Sequence, residues 1–186
     1  MENKSKLFAE LSALPITLGA FKANIIETAS IETDVAFRKM CEANSCGVYG
    51  KCWMCPPDVG EIDVLMKQIR DYDYALVYQT VSDLEDSFDF EGMVEAKKRT
   101  YPLAQELRKM IDAYKLSRVL HLGAGGCGVC PTCAKRTNEP CRFPALAMPS
   151  LEAYGINVSQ LAKASDMKYI NGQNTVTYFG AVLFSL

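Results

Sequence analysis

The chain has one histidine, His121, and one tryptophan, Trp53, among 186 residues. No glycine-flanked nucleophile elbow accompanies the histidine, which leaves serine-hydrolase chemistry without its scaffold. His121 alternates with Leu120 and Leu122 and is expected to be a hydrogen-bonded structural residue of a strand rather than a ligand or proton donor. Charge of either sign is also not in excess: 20 basic and 22 acidic residues leave a formal charge of −2. Neither nucleic acid nor an anionic membrane is suggested as a partner. Long apolar runs are missing too. The opening "MENKSKLFAELSALP" has no continuous hydrophobic region, and no later segment reaches the length of a membrane span. A soluble, cytoplasmic protein is the expectation. Without repeats, low-complexity tracts or a linker, the chain reads as a single domain over residues 1–186, with 49% apolar residues for one sizeable core.

Two familiar signatures are absent or misplaced. No Cys-x3-Cys-x2-Cys triplet of the radical-SAM kind occurs. Residues 123–128, "GAGGCG", satisfy G-x-G-x-x-G after a strand, but the dinucleotide fingerprint must open a helix, and here a cysteine loop with Pro131 follows.

What the sequence has is cysteine. Eight of them fall into two quartets, Cys41, Cys46, Cys52 and Cys55, then Cys127, Cys130, Cys133 and Cys141. A reducing cytosol rarely maintains structural disulfides, so clustered thiols point to metal or redox chemistry. The second quartet reads Cys-x2-Cys-x2-Cys-x7-Cys, a run shared with bacterial ferredoxins, whose even spacing can wrap thiolates around the corners of one cubane. Gly125, Gly126 and Gly128 bring backbone N–H groups close to cluster sulfides because no Cβ holds the main chain away. The first quartet, Cys-x4-Cys-x5-Cys-x2-Cys, is less diagnostic. Cys55-Pro56 and Cys130-Pro131 both repeat the cysteine–proline junction of ferredoxins, and Trp53 can shield a cluster from water or simply pack in the core. Two four-cysteine zinc sites are the structural alternative, and disulfide or free-thiol chemistry is a further one. Ligand pairing across the quartets is left open.

Along the chain, residues 19–31 have the β-branched content of a strand. "ETDVAFRKMCEAN" follows as a helix capped by Asp34 and carrying Cys41 near its end. Past Pro56-Pro57, Ile62, Leu65, Met66 and Ile69 share a helical face, and "YALVYQTV" is a buried strand. The acidic "SDLEDSFDFEGMVE" reads as a solvated face or a docking site for a basic redox partner. A long helix over 94–116, kinked at Pro102, leads to the strand "RVLHLG". Lys135, Arg136 and Arg142 outnumber Glu139 around the second quartet, making that loop locally basic. "FPALAMPSLEAYGI" and "SQLAKAS" suggest short helices, and "NTVTYFGAVLF" a closing strand. The fold class is α/β (mixed α+β): a central mixed sheet flanked by helices, with two cysteine-rich metal-binding loops at element ends.

The segments "CGVYGKCWMCPPDVG", "GGCGVCPTCAKRTNEPCRFPALAMPSLEAYGINV" and "NTVTYFGAVLF" resemble the family of domain of unknown function 2284, described as predicted metal-binding proteins. The resemblance implies metal binding through the eight cysteines, as iron–sulfur clusters in a small cytoplasmic protein of anaerobic-type metabolism, and supplies no reaction. With the residues, it yields three expectations. The first is a protein with two [4Fe–4S] clusters, each on one quartet, passing single electrons to a redox partner protein. The second is a cluster-dependent reductase or reductive activator, with a substrate or corrin site lined by residues such as Trp53, Tyr49 and Phe143. The third is a structural zinc module.

Overall fold

The computed structural model describes residues 2–186. Four strands, β1 (Lys22–Glu27), β2 (Tyr74–Asp83), β3 (Arg118–Leu122) and β4 (Thr175–Ser185), form one sheet in the order β1-β2-β4-β3. Helices flank it, giving the mixed α/β class expected. Each ladder is antiparallel, and parallel pairing among the described residues is an isolated bridge between Gly123 and Ser150. The sheet was expected to mix directions, because helices alternate with strands. Instead β2 and β3, joined by a helical crossover, run the same way but are separated by β4, which enters between them from the C-terminal end.

The α-helices among the described residues are α1 (Glu2–Thr17), α2 (Ala36–Glu42), α3 (Ile62–Gln68), α4 (Phe90–Asp112) and α5 (Val158–Ala164). No element is expected above for residues 2–17, yet Leu7, Leu11 and Leu14 carry helical spacing, and Leu11 and Leu14 are buried against the sheet. The long helix begins at Phe90, four residues earlier than expected, because Asp89 caps it by accepting from the Gly92 N–H at 2.8 Å. It continues past Pro102 to Asp112. Residues 143–156 hold one 3-10 turn, Glu152–Tyr154, in place of the short helices expected there.

Strand alternation divides the core in two. Leu76, Tyr78, Val182 and Phe184 face α1 and α4, where Leu103, Leu107 and Ile111 meet them. Ala75, Val77, Ala181 and Leu183 face the other way, onto Leu65, Ile69, Leu151, Ile156 and Leu161. Burial of each such aliphatic side chain is worth roughly 1.5–3 kcal/mol. His121 lies opposite Val182 and therefore on the α4 face. It is buried, but its Nε2 has no hydrogen-bond partner among the described residues, so the histidine expected to be satisfied is not. Burial, with the Arg108 guanidinium nearby, holds its imidazole neutral by lowering its pKa to about 3.

No described helix is long and apolar enough to cross a membrane.

Candidate metal centre

The two cysteine segments follow strands that run in opposite directions, β1 ending at Glu27 opposite Tyr74 and β3 at Leu122 opposite Ala181, and they meet beyond the sheet. The first runs from α2 to α3. Asp34 starts α2 by accepting from the Ala36 N–H at 2.8 Å, and Cys41 lies in its last turn. Asn44 then turns the chain: its side-chain oxygen accepts from the Tyr49 N–H at 3.1 Å. Gly50 N–H donates to the Pro56 carbonyl at 2.9 Å, folding the loop back on itself, and Cys55 N–H donates to the Cys52 carbonyl at 3.0 Å. The second segment leaves β3 at Leu122. Gly123 is clamped to residues 149–151, donating to the Pro149 carbonyl at 2.9 Å and accepting from Leu151 N–H at 3.0 Å. Gly125 has φ +66°, the left-handed region in which a side chain is strained.

All eight cysteines are free thiols; Cys52 and Cys55 are buried and Cys46 is exposed. Their grouping in space differs from their grouping in sequence. Cys41, Cys46 and Cys55 line a cavity of about 360 Å³ together with Gly125 and Gly126 from the second loop. Cys52 lies instead with Cys127, Cys130, Cys133 and Cys141 around a tight cavity of about 20 Å³ walled by Trp53, Phe143 and Val129. A groove of about 170 Å³ is lined by Cys46 together with Cys52, Cys127, Cys130 and Cys133, beside Lys51, Lys97 and Arg136. The two sets meet at the Cys52–Cys55 turn, where the Cys55 N–H donates to the Cys52 carbonyl at 3.0 Å and the Cys55 thiol lies beside the Cys52 sulfur.

That contact sets the thiols' protonation. The hydrogen bond from Cys55, backed by N–H groups of Met54 and Cys127, pulls Cys52 down to about 6 against the effect of burial. Donating that bond, and being buried, Cys55 is pushed up. Burial also raises Cys41 and Cys127. Thiols whose pKa is raised in this way, Cys41, Cys55 and Cys127, give up their protons when a cation binds.

The glycines and the tryptophan join the two loops. A Cβ on Gly126 would lie 3.4 Å from the Cys55 sulfur, so the bare backbone lets the second loop close on the first. A Cβ on Gly128 would overlap the Tyr101 ring, and the Tyr101 hydroxyl donates to the Gly126 carbonyl at 3.4 Å. Trp53 donates its indole N–H to the Glu139 carbonyl at 2.9 Å. Lys135 packs over the Trp53 ring and pairs with Asp58, crossing from the second loop to the first. Of the basic charges expected on the second loop, Lys135 is thus internal, whereas Arg142 stays exposed while donating to the Thr132 carbonyl at 3.1 Å and pairing with Glu139. Of the aromatic residues expected to line one pocket, Trp53 and Phe143 border the tight cavity and Tyr49 the large one.

Among the described residues no three Cys, His, Asp or Glu side chains converge where they would hold a single ion; the sulfurs are arranged around cavities. One further donor, Glu152, lines the large cavity, and its Oε2 is buried without a hydrogen-bond partner. A lone glutamate in "SLEAYG" carries no motif, so sequence reasoning passed over it.

Compared with known families, residues 24–184 match the one described as predicted metal-binding protein (DUF2284). The chain belongs to this family. The match spans β1 to β4 and therefore both cysteine loops, so the metal binding that the family's description carries falls on a chain whose eight thiols line neighbouring cavities. No curated protein and no solved structure matches the chain.

Proposed function

We propose that the protein holds two iron–sulfur clusters of the [4Fe–4S] type and passes single electrons to a partner protein. The observation that carries this reading is the Cys52–Cys55 turn, in which the Cys55 N–H donates to the Cys52 carbonyl at 3.0 Å and one cysteine enters each of two thiol-lined cavities, whose contents would be immediate neighbours. A cluster binds each thiolate to a different iron, so it accepts sulfurs spread around a cavity, whereas one ion needs them converged on a point. Cys41, Cys46 and Cys55 would serve one cluster, and the set of Cys52, Cys127, Cys130, Cys133 and Cys141 would serve the other. The donors fit the group: soft thiols, a glycine backbone at Gly126 that approaches the sulfurs, and a buried carboxylate oxygen left without a partner.

Such a cluster accepts and releases one electron. The chain's own residues set the conditions. Trp53, Phe143 and Val129 keep water from the tight cavity. Lys51, Lys97 and Arg136 line the groove over the same thiols and would favour a reduced, more negative centre or an acidic partner surface. A reducing cytoplasm suits thiols that must stay free.

A second reading is a cluster-dependent reductase or reductive activator. It is supported by the size of the larger cavity, about 360 Å³, within the roughly 300–1,000 Å³ usual for small-molecule sites.

The test is iron, zinc and acid-labile sulfide per chain in protein purified without oxygen, with electron paramagnetic resonance after reduction. About eight irons with equal sulfide supports two clusters. About two zincs and no iron replaces them with a structural module. A cluster signal that changes on adding a candidate substrate favours the second reading.

A further inference from the structure

The large cavity presents three thiols to a group that takes four ligands. The remaining cysteine of the first quartet, Cys52, turns away toward Cys127 and Cys133. What the cavity does contain is the carboxylate of Glu152.

The fold delivers this side chain by a route separate from the cysteine loops. Gly123 pairs with Ser150, and the Ser150 hydroxyl accepts from the Ala153 N–H at 3.1 Å, which starts the 3-10 turn Glu152–Tyr154. The segment before α2 is bound to the same turn: Asp34 N–H donates to the Gly155 carbonyl at 2.7 Å, Asn157 N–H to the Glu32 carbonyl at 3.0 Å, and the Arg38 guanidinium reaches the Ala153 carbonyl at 3.5 Å. These bonds hold Cys41, one turn beyond Arg38, beside Glu152. The buried Oε2 of Glu152 has no partner among the described residues. A carboxylate oxygen removed from water and left unpaired is costly, and a metal is one of the few groups that satisfies it.

We propose that Glu152 is the fourth ligand of the cluster held by Cys41, Cys46 and Cys55, so that one iron carries a carboxylate where the other three carry protein or bridging sulfur alone. This rests on the iron–sulfur reading above. Carboxylate is a harder donor than thiolate and matches a sulfur-bound iron less well, so this iron is the one that exchanges its ligand. Phe37, Met40 and Tyr49 line the same cavity, which is open enough for a small thiol or anion to enter and replace the glutamate.

Ferricyanide takes one electron from a [4Fe–4S]²⁺ centre; the weakly held iron leaves as Fe²⁺ and a [3Fe–4S]¹⁺ core remains, which balances charge. Anaerobic wild type, Glu152→Gln, Glu152→Cys and Cys52→Ser are compared for iron released per chain and for the three-iron paramagnetic signal, with circular dichroism as the check on folding. Wild type is expected to release about one iron per chain, Glu152→Gln to release it sooner, and Glu152→Cys to retain it. The two glutamate variants fail independently, because one keeps the side chain's shape and the other supplies a fourth thiolate. Equal release from wild type and both glutamate variants overturns the assignment, as does the absence of release from wild type. Iron release that responds to Cys52→Ser but not to Glu152→Gln also overturns it, in favour of Cys52. Protein that contains no iron at all removes the iron–sulfur reading, whereas iron-loaded protein indifferent to Glu152 removes this ligand alone.

Discussion

The ammonium of Lys135 lies 4.2 Å from the centroid of the Trp53 ring, which places a charge of the second cysteine loop over the aromatic residue of the first. The same ammonium pairs with Asp58, and both partners are largely shielded, with side chains 19% and 17% exposed. Trp53 completes the brace through its bond to the Glu139 carbonyl. The two loops are therefore fastened by groups that are not themselves metal donors.

Removing one end of this brace leaves the other end's charge uncompensated. Lys135→Met is expected to destabilise the metal-loaded protein by about 2 kcal/mol, between the values for exposed and buried pairs. Adding Asp58→Asn should restore part of the loss. Chemical denaturation of the two single variants and the double variant gives the coupling directly; a coupling near zero would mean the pair holds nothing together.

Cys130→Ala is expected to lower the metal content and change the absorption spectrum, since Cys130 borders both the tight cavity and the groove above it. The check is metal per chain beside the visible spectrum of the same sample. Unchanged metal and an unchanged spectrum would take Cys130 out of the ligand set.

Gly128→Ala puts a methyl group into the Tyr101 ring. Overpacking of this kind costs about 1–3 kcal/mol, and the strain falls on the Cys127–Cys130 turn, so reduced metal occupancy should accompany the lower thermal midpoint. Tyr101→Leu added to Gly128→Ala should recover part of both. If the single substitution is silent, the close approach of α4 to the loop is not needed.

His121 makes stability depend on acid. Its folded value of about 3 lies below the ordinary 6.5, so between those limits the unfolded chain binds the extra proton. The stability this imidazole contributes is complete above pH 6.5 and declines as pH falls toward 3. The slope is at most about 1.4 kcal/mol per pH unit, or about 2 kcal/mol between pH 6.5 and 5. Urea midpoints of wild type and His121→Leu at pH 7.5 and 5 should diverge in this way, the variant losing less on acidification. Parallel losses would show that other groups control the acid limb.

Much of the fold is legible in local pattern. β2 and β4 are apolar runs with β-branched and aromatic content, and their ten paired positions form the centre of the sheet. Asp34 and the face of Leu65 and Ile69 mark α2 and α3 in the expected places. The shortfalls have physical causes. The order of the strands depends on where β4 inserts, which is a contact between residues about 100 positions apart and leaves no mark in either strand's own pattern. Residues 143–156 look helical by composition, but Pro144 and Pro149 remove backbone donors, and the pairing of Gly123 with Ser150 claims the backbone that a helix would use.

The sequence by itself determined the chemistry on offer: eight thiols in two loops, glycines where the backbone must come close, one tryptophan between two cysteines, and no second histidine. It could do so because donor identity and short spacing are local properties. Which thiols share a cavity was decided by the tertiary structure alone. The Cys52–Cys55 turn points its two sulfurs into different cavities, because the second loop, anchored at Gly123, closes over one side of it, and the Glu152 turn, anchored at Ser150, closes over the other.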